Sequence, residues 1–186
     1  MEEVEGDRRS GVELDDMGAK GGERDEGKGW KGPRVGWVKI NVDAGVKEGI
    51  SVGTGAICRD DMGKILWSLS HSRREVWEPH VAEAVAIMDR VEEALKAGHT
   101  MVEVESDCVE VIEALKKRKA GRSMFYFIID DILRICTSFN SVVWSFTRRV
   151  NNVLAHELAH VLPAGTGKVV WSNRLPETLE CLLDSI

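Results

Sequence analysis

Apolar and polar positions alternate from Trp37 to Asp43, and that period of two predicts a strand. Val46-Lys47-Glu48-Gly49-Ile50 reads as a turn, followed by a second strand from Val52 to Arg59. Gly53 and Gly55 lie inside that strand, where a missing side chain lets another backbone come close. Asp60-Asp61-Met62-Gly63 is a hairpin turn leading to a third strand, Lys64 to Ser70. The period then changes. From Pro79 to Ala97 the positions Val81, Ala84, Val85, Met88, Val91 and Leu95 form one helical stripe. Pro79 suits the start of that helix and Gly98 its stop. Met101 to Glu105 reads as a fourth strand, Cys108 to Lys117 as a second helix and Phe125 to Thr137 as a third. Ser141 to Thr147 is a fifth strand and Asn152 to Leu162 a fourth helix. The order βββ-α-β-α-α-β-α predicts an α/β domain, a five-stranded mixed sheet flanked by helices.

Outside that stretch the pattern weakens. Residues 1–35 are glycine-rich and carry both charge signs, with almost no apolar residue before Trp30, so they are expected to be disordered. The folded domain is expected over 36–163 and a C-terminal extension over 164–186. In that extension Leu175, Leu179, Leu182 and Leu183 form a short apolar pattern suited to docking on the core.

Composition narrows the class further. The 186 residues suit one domain with extensions, and a hydrophobic share of 43% supports a core. A net charge of -6 argues against strong non-specific nucleic-acid binding, though a local basic patch remains compatible with it. The four cysteines, Cys58, Cys108, Cys136 and Cys181, make no C-x-x-C pair, which argues against a zinc ribbon. The acidic N-terminus lacks an apolar signal core, and no apolar run is long enough to span a membrane. A monomer in the nucleus or cytoplasm, not secreted and with reduced cysteines, is the expectation.

The chemistry lies at element ends. Asp43 closes the first strand, Glu83 sits in the first helix, and Asp107 follows the fourth strand. Two strand ends and one helix face can bring three carboxylates together. Such a group suits Mg²⁺ or Mn²⁺, and two ions of that kind can clamp the attacking and leaving oxygens of a phosphodiester.

The ordered set resembles the ribonuclease H fold, and most closely its reverse-transcriptase-like type 1 domains in plants, derived from non-LTR retrotransposons. The residues carrying the resemblance begin with Lys39-Ile40-Asn41-Val42-Asp43-Ala44 and Gly53-Thr54-Gly55-Ala56-Ile57-Cys58-Arg59-Asp60. They continue through Ala82-Glu83-Ala84 and Val104-Glu105-Ser106-Asp107 to Arg149-Val150-Asn151-Asn152-Val153-Leu154-Ala155-His156-Glu157-Leu158-Ala159. The resemblance implies that Asp43, Glu83, Asp107 and His156 are the catalytic, metal-binding set. It also implies hydrolysis of RNA in an RNA–DNA hybrid, read by backbone shape and 2′-hydroxyls. His156 stands where active type 1 enzymes carry Asp, and Thr147-Arg148-Arg149 lacks the loop histidine of those enzymes. Those departures leave open an alternative, a catalytically impaired, domesticated nucleic-acid-binding module.

His156-Glu157-Leu158-Ala159-His160 also matches H-E-x-x-H, the helical zinc motif of metalloproteases. Pro163 and Thr166 break its extended form, and Glu177 and Glu180 are the remaining third-ligand candidates, so a zinc protease is the remote reading. His160 is expected at the surface or helix end. For nucleic-acid contact the sequence offers Lys116, Lys117, Arg118 and Lys119 at a helix end, and Arg148, Arg149 and Asn152 near the last helix. The basic run also suits the negative end of its own helix dipole.

Overall fold

The computed structural model describes residues 29–47 and 50–185. Its strands are β1 (Val38–Lys47), β2 (Ser51–Arg59), β3 (Ile65–Arg73), β4 (Met101–Ser106), β5 (Ser141–Phe146) and β6 (Gly167–Ser172). The helices are α1 (Pro79–Lys96), α2 (Val109–Lys116), α3 (Met124–Cys136) and α4 (Val153–His160). These strands make one mixed sheet in the order β5-β4-β1-β2-β3-β6. β1, β4 and β5 run parallel, while β2, β3 and β6 are joined by antiparallel pairing.

The sheet has six strands where five were expected. The additional strand, β6, lies in the stretch read as an extension and pairs with β3 from Trp67↔Ser172 to Ser72↔Gly167. Pro163 and Gly165 precede it, and it is an edge strand with alternate positions exposed, so its apolar signal is short. The turn expected at Val46 begins later, because β1 continues to Lys47 opposite Ser51.

Two cores flank the sheet. On one face Val38, Ile40 and Val42 of β1 and Ala56 and Cys58 of β2 pack against the apolar stripe of α1, with α2 and α3 beyond it. Arg90 of α1 is fully buried in this layer and donates to Thr54 Oγ1 at 3.1 Å. On the other face Ile57 meets Leu154 and Leu158 of α4, closed over by Leu175 and Leu179. These two leucines dock as expected, whereas Leu183 is exposed.

Most of the segment expected to be disordered, 1–35, lies outside the described residues. Residues 29–35 are described, and Trp30 lies on the sheet. Its indole N–H donates to Asn41 Oδ1 at 3.0 Å and its ring stacks 3.7 Å over the Arg59 guanidinium. Beneath it Lys39 bridges Glu105 and Glu103, and Asn41 donates to Glu105. Trp30 therefore roofs a polar strip of β1, β2 and β4 that α4 does not cover. All four cysteines are free thiols; Cys58 and Cys136 are buried and Cys181 is exposed.

Candidate metal and nucleic-acid site

A split in the sheet positions the site. β1 and β4 are paired from Val38↔Val102 to Asn41↔Glu105, and the pairing stops there. Beyond Asn41, β1 stays with β2 while β4 ends at Ser106. The crevice lies at the C-terminal ends of two parallel strands, a recurrent ligand position in α/β sheets. Asp43 comes from β1, Asp107 from the residue after β4, and Glu83 reaches in from α1. One carboxylate oxygen of each lies within 4.8 Å of the others.

Local bonds aim Glu83. Its Oε1 accepts the Ala44 N–H at 3.2 Å, and Ser106 Oγ donates to Oε2 at 3.4 Å. Ser106 in turn accepts the Cys108 N–H at 3.0 Å, tying the start of α2 to the same point. The sequence offers Ser106 only as part of the run Val104-Glu105-Ser106-Asp107, without this role; its place before Asp107 at a strand end is the signal for it.

The acids are costly to ionise together. Burial, aided by repulsion from Asp107 and opposed by the His156 hydrogen bond, raises Asp43 from 3.8 to about 6. Burial and the Asp43 charge likewise push Glu83 well above the ordinary carboxylate range. Crowded, desolvated carboxylates of one sign are a ready seat for a cation, and an all-oxygen donor set fits a hard divalent ion.

The fourth corner is His156 on α4. Its Nδ1 lies 2.9 Å from Asp43 Oδ2, and the Arg149 guanidinium lies 3.2 Å from both ring nitrogens. Glycine fixes the height of α4 over the sheet. A Cβ on Gly53 would lie 1.9 Å from the Ala159 carbonyl oxygen, and one on Gly55 would lie 2.2 Å from both Ala155 O and Ala159 N. The glycine pair thus serves the close backbone approach expected of it. Asn152 corrects its expected role as a nucleic-acid contact. It is 1% exposed and donates its amide to the Val42 carbonyl at 2.9 Å, so it pins the start of α4 to β1.

The remaining expected residues are dispersed. Arg148 and Arg149 are exposed beside α4. Lys116, Lys117, Arg118 and Lys119 are exposed at the far end of α2, about 12 Å along the helix axis from the Asp107 end. Lys117 also pairs with Glu113. His156 and His160 do share a face, with ring centroids 4.5 Å apart. The third residue that joins them is Asp43 from β1; neither Glu177 nor Glu180 belongs to a metal-type cluster among the described residues.

The family model for reverse transcriptase-like proteins matches residues 41–161. Among solved structures, ribonuclease H1 from the halophilic archaeon Halobacterium salinarum superposes with a TM-score of 0.62 at 18% identity, covering 67% of this chain and 96% of that one. The N-terminal ribonuclease H domain of a Mycobacterium tuberculosis protein gives a TM-score of 0.60 at 20% identity, covering 67% and 91%. LC11 ribonuclease H1, solved in complex with an RNA/DNA hybrid, gives 0.61 at 21%, covering 67% and 94%. At these identities the likeness establishes a shared fold. No curated protein sequence matches the chain.

Proposed function

The chain belongs to the reverse transcriptase-like family, and from that premise we propose that it is a metal-dependent endonuclease acting on the RNA strand of RNA–DNA hybrids. One observation carries the proposal: carboxylates from β1, α1 and the end of β4 come within 4.8 Å of one another where the pairing of β1 and β4 stops. Asp43, Glu83 and Asp107 would hold Mg²⁺ or Mn²⁺, with His156 at the fourth corner. Such ions supply an activated water and charge stabilisation at the leaving oxygen.

The protein's own groups have separate tasks in this reading. The Ala44 N–H and the Ser106 hydroxyl hold the Glu83 carboxylate toward the crevice. His156 orients Asp43 through its ring nitrogen. Arg148 and Arg149 offer exposed positive charge to backbone phosphates, and the basic end of α2 offers a second grip farther along the duplex. Neither grip carries sequence information, in keeping with recognition by shape and 2′-hydroxyls. The reading extends to a monomer working in the nucleus or cytoplasm and to a plant, retrotransposon-derived origin, of which only the origin draws support from the motif run from Arg149 to Ala159.

A second reading, a nucleic-acid-binding module with impaired catalysis, is favoured by a specific contact. An imidazole beside a guanidinium stands at the fourth corner, so that corner brings no negative charge to the ions. Incubation of a labelled hybrid with the protein and Mg²⁺ or Mn²⁺ tests the proposal, with Asp43→Asn as control. RNA-strand cleavage that disappears in Asp43→Asn, with duplex DNA left intact, is the expected result. Hybrid binding without cleavage under either ion would overturn it in favour of the module.

A further inference from the structure

We propose that Asp43, His156 and His160 form a second cation seat, selective for a transition ion of the zinc class and sharing Asp43 and His156 with the carboxylate seat. One ligand atom of each residue lies within 4.8 Å of the others. Two imidazoles and one carboxylate make a nitrogen-rich set with a fourth position open, an arrangement that zinc accepts and magnesium does not favour.

The hydrogen bonding of His160 supports this assignment independently of proximity. Its Nδ1 lies 2.8 Å from the His156 carbonyl oxygen, one helical turn back. A carbonyl can only accept, so Nδ1 carries a proton, and the neutral ring then presents the Nε2 lone pair to an ion. Ligating histidines are oriented in this way, with the far N–H fixed on a backbone carbonyl. Nε2 then sits over β1 at Gly45, where a Cβ would lie 2.3 Å from it. Gly45 and Asp43 are two residues apart on one strand, so both point to the α4 side of the sheet. Glycine at position 45 leaves the space in which the ring rests.

The seat needs modest closure. An ion about 2.0–2.2 Å from each donor would draw the donors to about 3.4 Å from one another. His160 and Arg149 are exposed, so the ring can tilt inward and the guanidinium can leave His156 without disturbing the core. Because Asp43 and His156 serve both seats, and one imidazole nitrogen cannot bridge two ions, a zinc-class ion here takes a donor from the carboxylate seat. The two ions therefore compete, and zinc acts as an antagonist of magnesium or manganese. That last consequence rests on the function proposed above; the seat itself does not.

The experiment uses the full chain stripped with chelator and titrated with Co²⁺, whose visible absorption reports tetrahedral nitrogen–oxygen coordination, followed by displacement with Zn²⁺. One equivalent is expected to bind. His160→Ala and His160→Gln should each weaken Co²⁺ and Zn²⁺ by about 100-fold, with circular dichroism showing the fold intact. Gly45→Ala, which removes no ligand, should weaken both by about tenfold through displacement of the ring. Glu83→Gln should leave Zn²⁺ binding unchanged while abolishing Mn²⁺ binding measured by electron paramagnetic resonance. Absence of the cobalt spectrum in the natural protein, or equal Zn²⁺ affinity in both His160 variants and the natural protein, would overturn the proposal. Failure of hybrid cleavage alone would leave these spectra as predicted, so the two ideas fail separately.

Discussion

His156 Nδ1 sits 2.9 Å from Asp43 Oδ2, joining α4 to β1 across the mouth of the split between β1 and β4. The hydrogen bond lowers the cost of charging Asp43, yet burial dominates and the carboxyl titrates near 6. Charge, fold stability and the proposed ion binding therefore meet at one residue.

In metal-free protein, that coupling sets a pH dependence. Asp43 titrates near 3.8 when free and near 6 when folded, so between those values the folded chain holds the proton more firmly. The contribution of Asp43 to stability is therefore largest below pH 4, falls as pH rises to about 6, and is flat above. Asp43→Asn should remove the Asp43 share of this slope, leaving that of Glu83, and raise stability at pH 7 by about 1–3 kcal/mol, or roughly 3–8 °C in Tm. Thermal melts from pH 4 to 8 in chelator check it. A natural protein that gains stability steadily over that range, in parallel with Asp43→Asn, would contradict the assignment. Millimolar Mn²⁺ should reverse the ranking, since the natural protein alone can bind it well.

Replacing the fourth donor should change the choice of ion. An imidazole suits Mn²⁺ better than Mg²⁺, whereas a carboxylate suits both. The natural protein is therefore expected to be weakly active, with more cleavage under Mn²⁺. His156→Asp should raise the Mg²⁺-supported rate by about tenfold, equivalent to about 1.4 kcal/mol of barrier, and His156→Ala should not. A measurable Mg²⁺ rate that is the same before and after His156→Asp would remove position 156 from the ligand set.

Gly55→Ala tests the seam beneath α4. The new methyl would lie 2.2 Å from backbone atoms of Ala155 and Ala159, which cannot rotate away. The helix must lift, at a cost of about 1–3 kcal/mol in urea unfolding. His156 should move with it, so Mn²⁺ affinity should fall even though no ligand is altered. Unchanged unfolding and unchanged Mn²⁺ affinity would show that the seam is looser than described.

The basic end of α2 should contribute grip without chemistry. Changing Lys116, Lys117, Arg118 and Lys119 together to Ala should weaken hybrid binding. Its salt dependence should flatten by roughly one slope unit for each phosphate that is no longer neutralised. Single-turnover cleavage of saturated hybrid should persist. An identical slope in the variant would assign these residues to helix-end solvation alone.

Much of this architecture was legible because burial imposes a period. The alternation through Val38, Ile40 and Val42 and the stripe from Val81 to Leu95 reflect one-sided packing, and both appear where expected. β6 was hidden because an edge strand buries too little to enforce a long alternation. Trp30 was hidden by its surroundings: its partners, Asn41 and Arg59, lie on strands that a local reading of a charged, glycine-rich segment cannot see. The three acids were legible as strand-end and helix-face positions, but their meeting depends on where β1–β4 pairing stops. Asn152 was misread because an exposed amide and one bonded to a buried carbonyl look alike in sequence. His160 is exposed at the last position of α4, as the sequence placed it, whereas its nearness to Asp43 depends on how α4 packs on β1, which the local motif does not carry.

The glycine floor under α4 separates address from occupant at position 156. The helix is located by backbone pressing on backbone at Gly53 and Gly55, by Asn152 on the Val42 carbonyl, and by Leu175 and Leu179 above it. None of these interactions involves the residue-156 side chain. The fold therefore offers a socket whose coordinates stay constant while the donor plugged into it changes, from carboxylate to imidazole to none. In the proposed function, the donor at position 156 then becomes a one-residue variable, adjustable without renegotiating the packing, and a designer could exchange it as a replaceable part.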